Sequence, residues 1–359
     1  MKKEHILVIR FSALGDVAMV VPVVYSVAQQ YPDVRITVLS RPFARTFFNN
    51  LLPNINFMSA DVKKDYRGVK GLNTLYRRLV AKQPTAIADL HAVLRSNYLR
   101  LRFNLGRYHV EHLDKHRSAR RKLVAREGKK ILTPLPSPFE NYSDVFARLG
   151  YPIEKITFQS IFSQHTDDSG KPVGDLSLLP QEIGSKQAGE QWVGIAPIAA
   201  HKGKTYPPEL TEKVIRQLLQ RNPHLRIFLF GRGPNEDELF SRWQREIPQC
   251  CYVSQLLNSM EQELILMSHL DVMMSMDSGN MHLASLTATP VVSVWGATHP
   301  AAGFMGYGQH LDNAIEVDLP CRPCSIYGQK ACKRGDYQCL YGIKPETIVE
   351  KITSLLTKN

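Results

Sequence analysis

The chain has 359 residues, 43% of them apolar, which is too long for one ordinary core and apolar enough for two globular domains. No stretch approaches the roughly 18 uninterrupted apolar residues of a membrane span. The start, Met1-Lys2-Lys3 and then a short apolar strand, carries no signal-peptide pattern, so residence in the cytoplasm is expected. The formal charge of +12 is concentrated: Asp61 to Lys130 holds 19 Lys and Arg against 6 Asp and Glu, leaving the remainder close to neutral. Such an excess on one part of the chain implies an anionic partner there, whether nucleic acid, anionic lipid head groups or a phosphorylated glycan, or else a solvated face.

In chain order, His5 to Arg10 reads as a buried strand and Phe11 to Asp16 as a turn. From Val17 the apolar positions recur at helical spacing to about Gln30, and Pro22 costs a hydrogen bond there unless it lies in the first turn. Arg35 to Leu39 is a second strand and Phe43 to Leu51 a helix. Strands near Ile55 to Met58 and Thr85 to Leu90 flank a helix carrying Leu72, Leu75 and Leu79. Alternating units of this length predict a parallel sheet covered on both faces. After Leu94 the chain turns basic and aromatic, through Tyr98, Arg100, Arg102 and Tyr108 to LDKHRSARRK, and an irregular stretch with a mobile loop is expected. Glu140 to Leu149 is another helix.

Gln164 to Gly189 is rich in Gly, Ser, Asp and Pro and reads as a linker. A second α/β unit follows, with strands at Trp192 to Ala196, Arg226 to Phe230, Tyr252 to Ser254, Asp271 to Ser275 and Val291 to Trp295. The predicted division is residues 1–165, a linker 166–189, a second domain 190–342 and a last helix 343–359 that packs back on the first domain. Ligands of open parallel sheets bind outside the strand C-termini, so two such domains with a cleft between them can share one site. A dinucleotide fingerprint is missing: FSALGD at Phe11 to Asp16 has one glycine where three are needed, and Gly231-Arg232-Gly233 is a lone pair.

The most informative stretch is Asp271 to Pro300, DVMMSMDSGNMHLASLTATPVVSVWGATHP. It reads as strand, polar turn, buried helix from about Asn280, and strand. A strand running into a Gly-containing turn and a helix N-terminus gathers free N–H groups at the positive end of a dipole, where a phosphate can sit. An ordinary crossover with a polar turn fits the same pattern.

Four separated stretches together resemble the ADP-heptose:lipopolysaccharide heptosyltransferase family: ILVIRFSALGDVAMVVP, DLHAVLRS at Asp89 to Ser96, KTYP at Lys204 to Pro207, and MDSGNMHLASLTATPVVSVWGATHP. Ala13 and Ser278 stand where many members have another hydroxyl residue and Thr. The resemblance implies a GT-B fold, two facing Rossmann-like domains with parallel sheets. It also implies inverting, metal-independent transfer of heptose from an ADP-sugar to the inner core of lipopolysaccharide. No cofactor is then required.

Such transfer needs a base for the acceptor hydroxyl and positive groups for the departing diphosphate. By resemblance Asp16 is the base, although an Asp there also suits the helix N-terminus. Lys204 contacts the phosphates, Asp277, Ser278, Gly279, Asn280, Met281 and His282 surround the diphosphate and ribose, and Glu236, or Glu238 beside it, holds the nucleoside. The acceptor falls to Ser12, Arg95, Arg117, Arg120 and Arg121. An anionic lipid-linked acceptor implies transient contact with the cytoplasmic face of the inner membrane. Two other readings stay open, a GT-B nucleotide-sugar epimerase and a nucleic-acid-binding protein that uses the basic patch. Cys321, Cys324, Cys332 and Cys339 form C-x2-C-x7-C-x6-C, a spacing compatible with structural zinc or with plain packing.

Overall fold

The computed structural model describes residues 4–357 except 50 and 188. Met1 to Lys3, ahead of the first strand, and Asn50 and Ala188, within the expected helix and linker, lie outside the described residues. Two compact units divide the chain: Met1–His116 with Pro136–Ile161, and Arg117–Leu135 with Phe162–Asn359.

The first unit opens with β1 (His5–Ile9), buried throughout, then α1 (Leu14–Ala18) and α2 (Val20–Gln30). The helix expected as one piece is two, and Pro22 is the third residue of α2, where its missing N–H would be unpaired in any case. Then come β2 (Arg35–Ser40), α3 (Arg45–Phe48), β3 (Ile55–Ser59), α4 (Gly68–Val80), β4 (Ala86–Asp89), α5 (Leu94–Leu105) and β5 (His109–His112). The basic stretch after Leu94 is thus a regular helix, because Ser96, Leu99 and Phe103 give it one buried stripe. After α6 (Arg117–Leu123), which is counted with the second unit, α7 (Pro138–Arg148) starts at a capping box. There the Ser137 hydroxyl accepts from the Glu140 N–H at 3.2 Å, and Glu140 accepts from the Ser137 N–H at 2.7 Å. The five strands are parallel in the order β3-β2-β1-β4-β5.

The second unit contains β6 (Gln191–Ala196), α8 (Pro208–Arg221), β7 (Leu225–Leu229), α9 (Pro234–Glu246), β8 (Cys250–Tyr252), α10 (Val253–Leu256) and α11 (Met260–His269). It continues with β9 (Val272–Met276), α12 (Gly279–Leu286), β10 (Val291–Val294), β11 (Ala314–Ile315), α13 (Gln338–Tyr341) and α14 (Pro345–Leu356). Its six strands are parallel in the order β11-β10-β9-β6-β7-β8. Each sheet therefore has one point where the chain reverses its direction of winding, between β1 and β4 in the first and between β6 and β9 in the second. Crevices outside the strand C-termini at such points are where ligands of this architecture bind.

Three expectations about domain boundaries are corrected. The stretch expected as a linker is fastened to the second unit: the Gly174 N–H donates to the Ser268 hydroxyl at 2.9 Å, and Lys186 pairs with Asp271 at 2.7 Å. Polar composition marked its lack of regular structure but not its lack of freedom. The final helix buries Ile348, Val349 and Ile352 in the second unit's own core, against α8, instead of returning to the first domain. An amphipathic stripe announces that a helix docks but not on what. Finally, 117–135, assigned by position to the first domain, belongs to the second unit, where the Leu135 N–H donates to the Ala301 carbonyl at 2.8 Å. Among the described residues no helix is long and apolar enough to cross a membrane.

Candidate active site

In the first unit, the turns after β1 and β4 meet at the reversal point. Arg10 follows β1 directly and is buried, which forces its guanidinium to find partners. It donates to the carbonyls of Ser12 at 2.8 Å and Leu90 at 2.6 Å, and pairs with the Asp16 carboxylate at 2.7 Å. Asp16 is the third residue of α1, and its carboxylate also accepts the Ala13 N–H at 3.1 Å. The capping role and the role of an outward-facing acid thus coincide on one side chain.

His91, from the turn after β4, closes this cluster. Its Nδ1 accepts the Phe11 N–H at 3.4 Å, and its Nε2 lies 3.4 Å from the Ser12 hydroxyl. Burial first, and Arg10 second, push its pKa down to about 3, so the ring is neutral at ordinary pH. Below it Asp89 is fully buried and accepts the N–H groups of His91 and Ala92, both at 3.0 Å, which fixes the turn. Arg100 of α5 stands 3.7 Å from its other oxygen.

In the second unit the reversal point brings together the turn after β6 and the turn after β9. Lys204 ends a short 3-10 turn, Lys202–Lys204, and its ammonium lies 3.0 Å from the buried Asp277 carboxylate. The pair lacks the alignment of a directed hydrogen bond, so the attraction is mainly Coulombic. Gly328, at φ +78°, leaves room for the lysine stem, since a Cβ there would come within 2.4 Å of the Lys204 Cδ and Cγ.

Beyond Asp277, α12 begins at Gly279. Ser278, the residue before it, caps none of its N–H groups and instead lies 3.3 Å from the Ser275 hydroxyl. Uncapped N–H groups beside a lysine form an anion-binding arrangement. Gly279 and Asn280 are half-buried at its mouth, while Met281 and His282 are buried behind it.

The loop after β10 completes the wall. Its Ala297 N–H donates to the Gly203 carbonyl at 2.8 Å, tying it to the lysine turn. Buried Arg322 holds the same loop, donating to the carbonyls of Gly296 at 2.6 Å, Trp295 at 3.1 Å and Thr298 at 3.0 Å while pairing with Glu316 at 2.7 Å.

The two candidate nucleoside acids part company. Glu236, in the first turn of α9, is half-buried against Gly231 and Gly233. Glu238 is exposed and lines a groove of about 610 Å³ with Ile198, Lys202, Thr205 and Arg242.

Residues 141–333, more than half of the chain, match the family described as Glycosyltransferase family 9 (heptosyltransferase). The chain belongs to glycosyltransferase family 9. Over 134 residues it is 28% identical to lipooligosaccharide heptosyltransferase 2 of Campylobacter jejuni, a match covering 36% of this chain and 41% of that relative. The chain thus spans about two fifths of that relative's length. Over 329 residues it is 23% identical to the lipopolysaccharide core heptosyltransferase OpsX of Haemophilus influenzae, covering 88% of this chain and 84% of that one. Among solved structures, the E. coli heptosyltransferase WaaC with ADP matches with a TM-score of 0.66 at 17% identity, over 98% of this chain and 99% of that one. That likeness shows the fold, GT-B.

Within this family member the other predicted residues fall in different places. Ser12 stands in the Asp16 cluster and Arg95 is exposed in the first turn of α5, both in the first unit. Arg117, Arg120 and Arg121 are on α6, which is counted with the second unit and not with the domain expected to hold the acceptor. Arg120 lies over the rings of Phe304 and Tyr327 at 5.5 and 5.7 Å, so only Arg117 and Arg121 of the three are exposed. Nearby, Lys130 donates to the carbonyls of Cys321 and, at 2.9 Å, Pro323.

The four clustered cysteines line one cavity of about 20 Å³. Among the described residues, however, no group of three or more His, Cys, Asp or Glu is arranged to hold a metal ion. Burial pushes the Cys339 thiol up to about 11, as suits a packed side chain.

Sequence reasoning missed Arg10 and His91. Both lie inside motifs quoted for the family, but Arg10 was read as the end of a strand, and a buried cation declares itself only through its partners.

Proposed function

We propose that this chain transfers heptose from an ADP-linked donor to the inner core of lipopolysaccharide, with inversion and without a metal. The observation that carries the reading is the Lys204–Asp277 pair at the uncapped start of α12, a ready seat for a diphosphate. The relatives support the sugar and the acceptor through what they are named for, and the ADP bound to WaaC supports the nucleotide.

In this reaction Asp16 accepts the proton of the acceptor hydroxyl as its oxygen bonds to the anomeric carbon. The bond from that carbon to the diphosphate oxygen breaks on the opposite face, and ADP leaves. Arg10 holds the Asp16 carboxylate in place. Lys204 and the N–H groups of Gly279 and Asn280 stabilise the charge that grows on the departing diphosphate. Ser12 and Arg95 take the anionic acceptor, and the exposed Arg117 and Arg121 offer it further positive charge. An acceptor with a lipid anchor puts the enzyme at the cytoplasmic face of the inner membrane.

ADP should raise the melting temperature without added magnesium. Lys204→Ala should remove most of that rise, corresponding to about tenfold weaker binding for one lost charged contact. An undiminished rise in the variant would remove Lys204 from the site.

A further inference from the structure

The helix α5 has two apolar faces, and only one of them is used by the fold. Ser96, Leu99 and Phe103 are buried against the first unit's core, while Leu94, Leu101 and Leu105 are 86%, 54% and 72% exposed. At helical spacing these three leucines fall within about 40° of one another, diametrically opposite Phe103, and make a stripe about 16 Å long. Three large apolar side chains aligned on one exposed helix face are unlike scattered surface leucines, and such a stripe implies that something covers it.

Charge identifies the occupant. Neither α5 nor its neighbour α4 contains an Asp or Glu, whereas they carry Lys70, Arg77, Arg78, Arg95, Arg100 and Arg102. Lys70, Arg77, Arg78 and Arg95 are exposed, and Arg102 is half-buried over the Tyr76 ring at 4.5 Å. A second copy docking by this face would bring like charges together without an acid between them. Nucleic acid would suit the cations but leave the leucines in water.

We propose that the α4–α5 face is a membrane-docking surface, with the leucine stripe entering the acyl boundary and the surrounding cations meeting anionic head groups. This names the face for the membrane contact proposed above. Its test needs neither donor nor acceptor, so its failure would leave the transferase reading standing.

The test is sedimentation of the full chain with vesicles of phosphatidylcholine alone or mixed with phosphatidylglycerol. The expected result is binding to the anionic vesicles that weakens with salt, and about tenfold or greater loss in the Leu94→Ser, Leu101→Ser, Leu105→Ser triple variant at an unchanged melting temperature. A second variant guards against misfolding. Leu101→Trp should bind at least as well, and its emission should shift to the blue on anionic vesicles, over the constant signal of the three native tryptophans, all buried. Wild-type-like vesicle binding by the triple variant overturns the proposal, as does an unshifted Leu101→Trp emission. It is equally overturned if the triple variant's only change is loss of a dimer in light scattering, or loss of affinity for duplex DNA.

Discussion

The two reversal points are built from the same parts with opposite polarity. After β1 a cation is buried and presents an acid: Arg10 keeps 8% of its side chain exposed and Asp16 31%. After β9 an acid is buried and presents a cation: Asp277 keeps 5% and Lys204 16%. In each pair the buried member orients the other, and the more exposed member is the one that can meet a ligand. Under the proposed function the first pair presents a carboxylate that can take the acceptor's proton, and the second a positive charge for the leaving group.

If this polarity is the basis of function, removing the presented acid should cost the most. Asp16→Asn keeps the size and the contact to Ala13, and should lower turnover by about 10²- to 10⁴-fold, the range for a lost general base. The ADP-induced rise in melting temperature should be retained. A variant that unfolds at markedly lower temperature yet keeps its specific activity would make Asp16 a helix cap only.

The second pair should respond differently, because there the presented residue is not the one replaced. Asp277→Ala leaves Lys204 facing an apolar hole, and should destabilise the fold by about 3 kcal/mol, as removing one member of a buried ion pair does. Denaturant unfolding measures this directly. A loss no greater than that of Asp16→Ala would erase the contrast between the sites.

The buried side of the first site can be read through pH. His91 is held neutral with its pKa near 3, whereas in the unfolded chain it binds a proton below about 6.5. Its contribution to stability is therefore full at pH 8 and is lost progressively as the pH falls from 6.5 toward 3. By pH 5 the loss is about 2 kcal/mol. His91→Gln should flatten the difference in stability between pH 8 and pH 5 by that amount, and a slope equal to wild type would mean that His91 is open to solvent.

The smallest effect concerns which unit meets the acceptor. Arg117→Ser with Arg121→Ser should raise the acceptor KM by about three- to tenfold, as expected for exposed, salt-screened contacts, and should reduce the salt sensitivity of the rate. ADP affinity should not change. A change in ADP affinity instead would assign α6 to the donor along with the rest of its unit.

Much of this was legible in the sequence. The buried strands that form the sheet centres are continuous apolar runs such as ILVI and VMMSM, and the DSGN turn lies between strand and helix as its residue types predict. The edge strands β5 and β11 escape a sequence reading, because HVEH is short and mostly polar and AI spans only two residues, so neither shows a period. The pairing of Arg10 with Asp16 needs the turn to fold before it exists. Which unit owns 117–135 or the last helix depends on a partner surface that lies far away in the sequence.

One detail of the second site bears on how binding divides between heat and disorder. Arg322 commits its guanidinium to carbonyls of the loop after β10 and to Glu316, and that loop in turn holds the lysine turn through Ala297 and Gly203. The segment is therefore immobilised when the chain folds and has little freedom left to lose when a ligand arrives. A lysine at 322, with three donors on a flexible stem in place of a planar fork, could not hold so many carbonyls at once. The entropy of ordering that loop would then fall on the ligand.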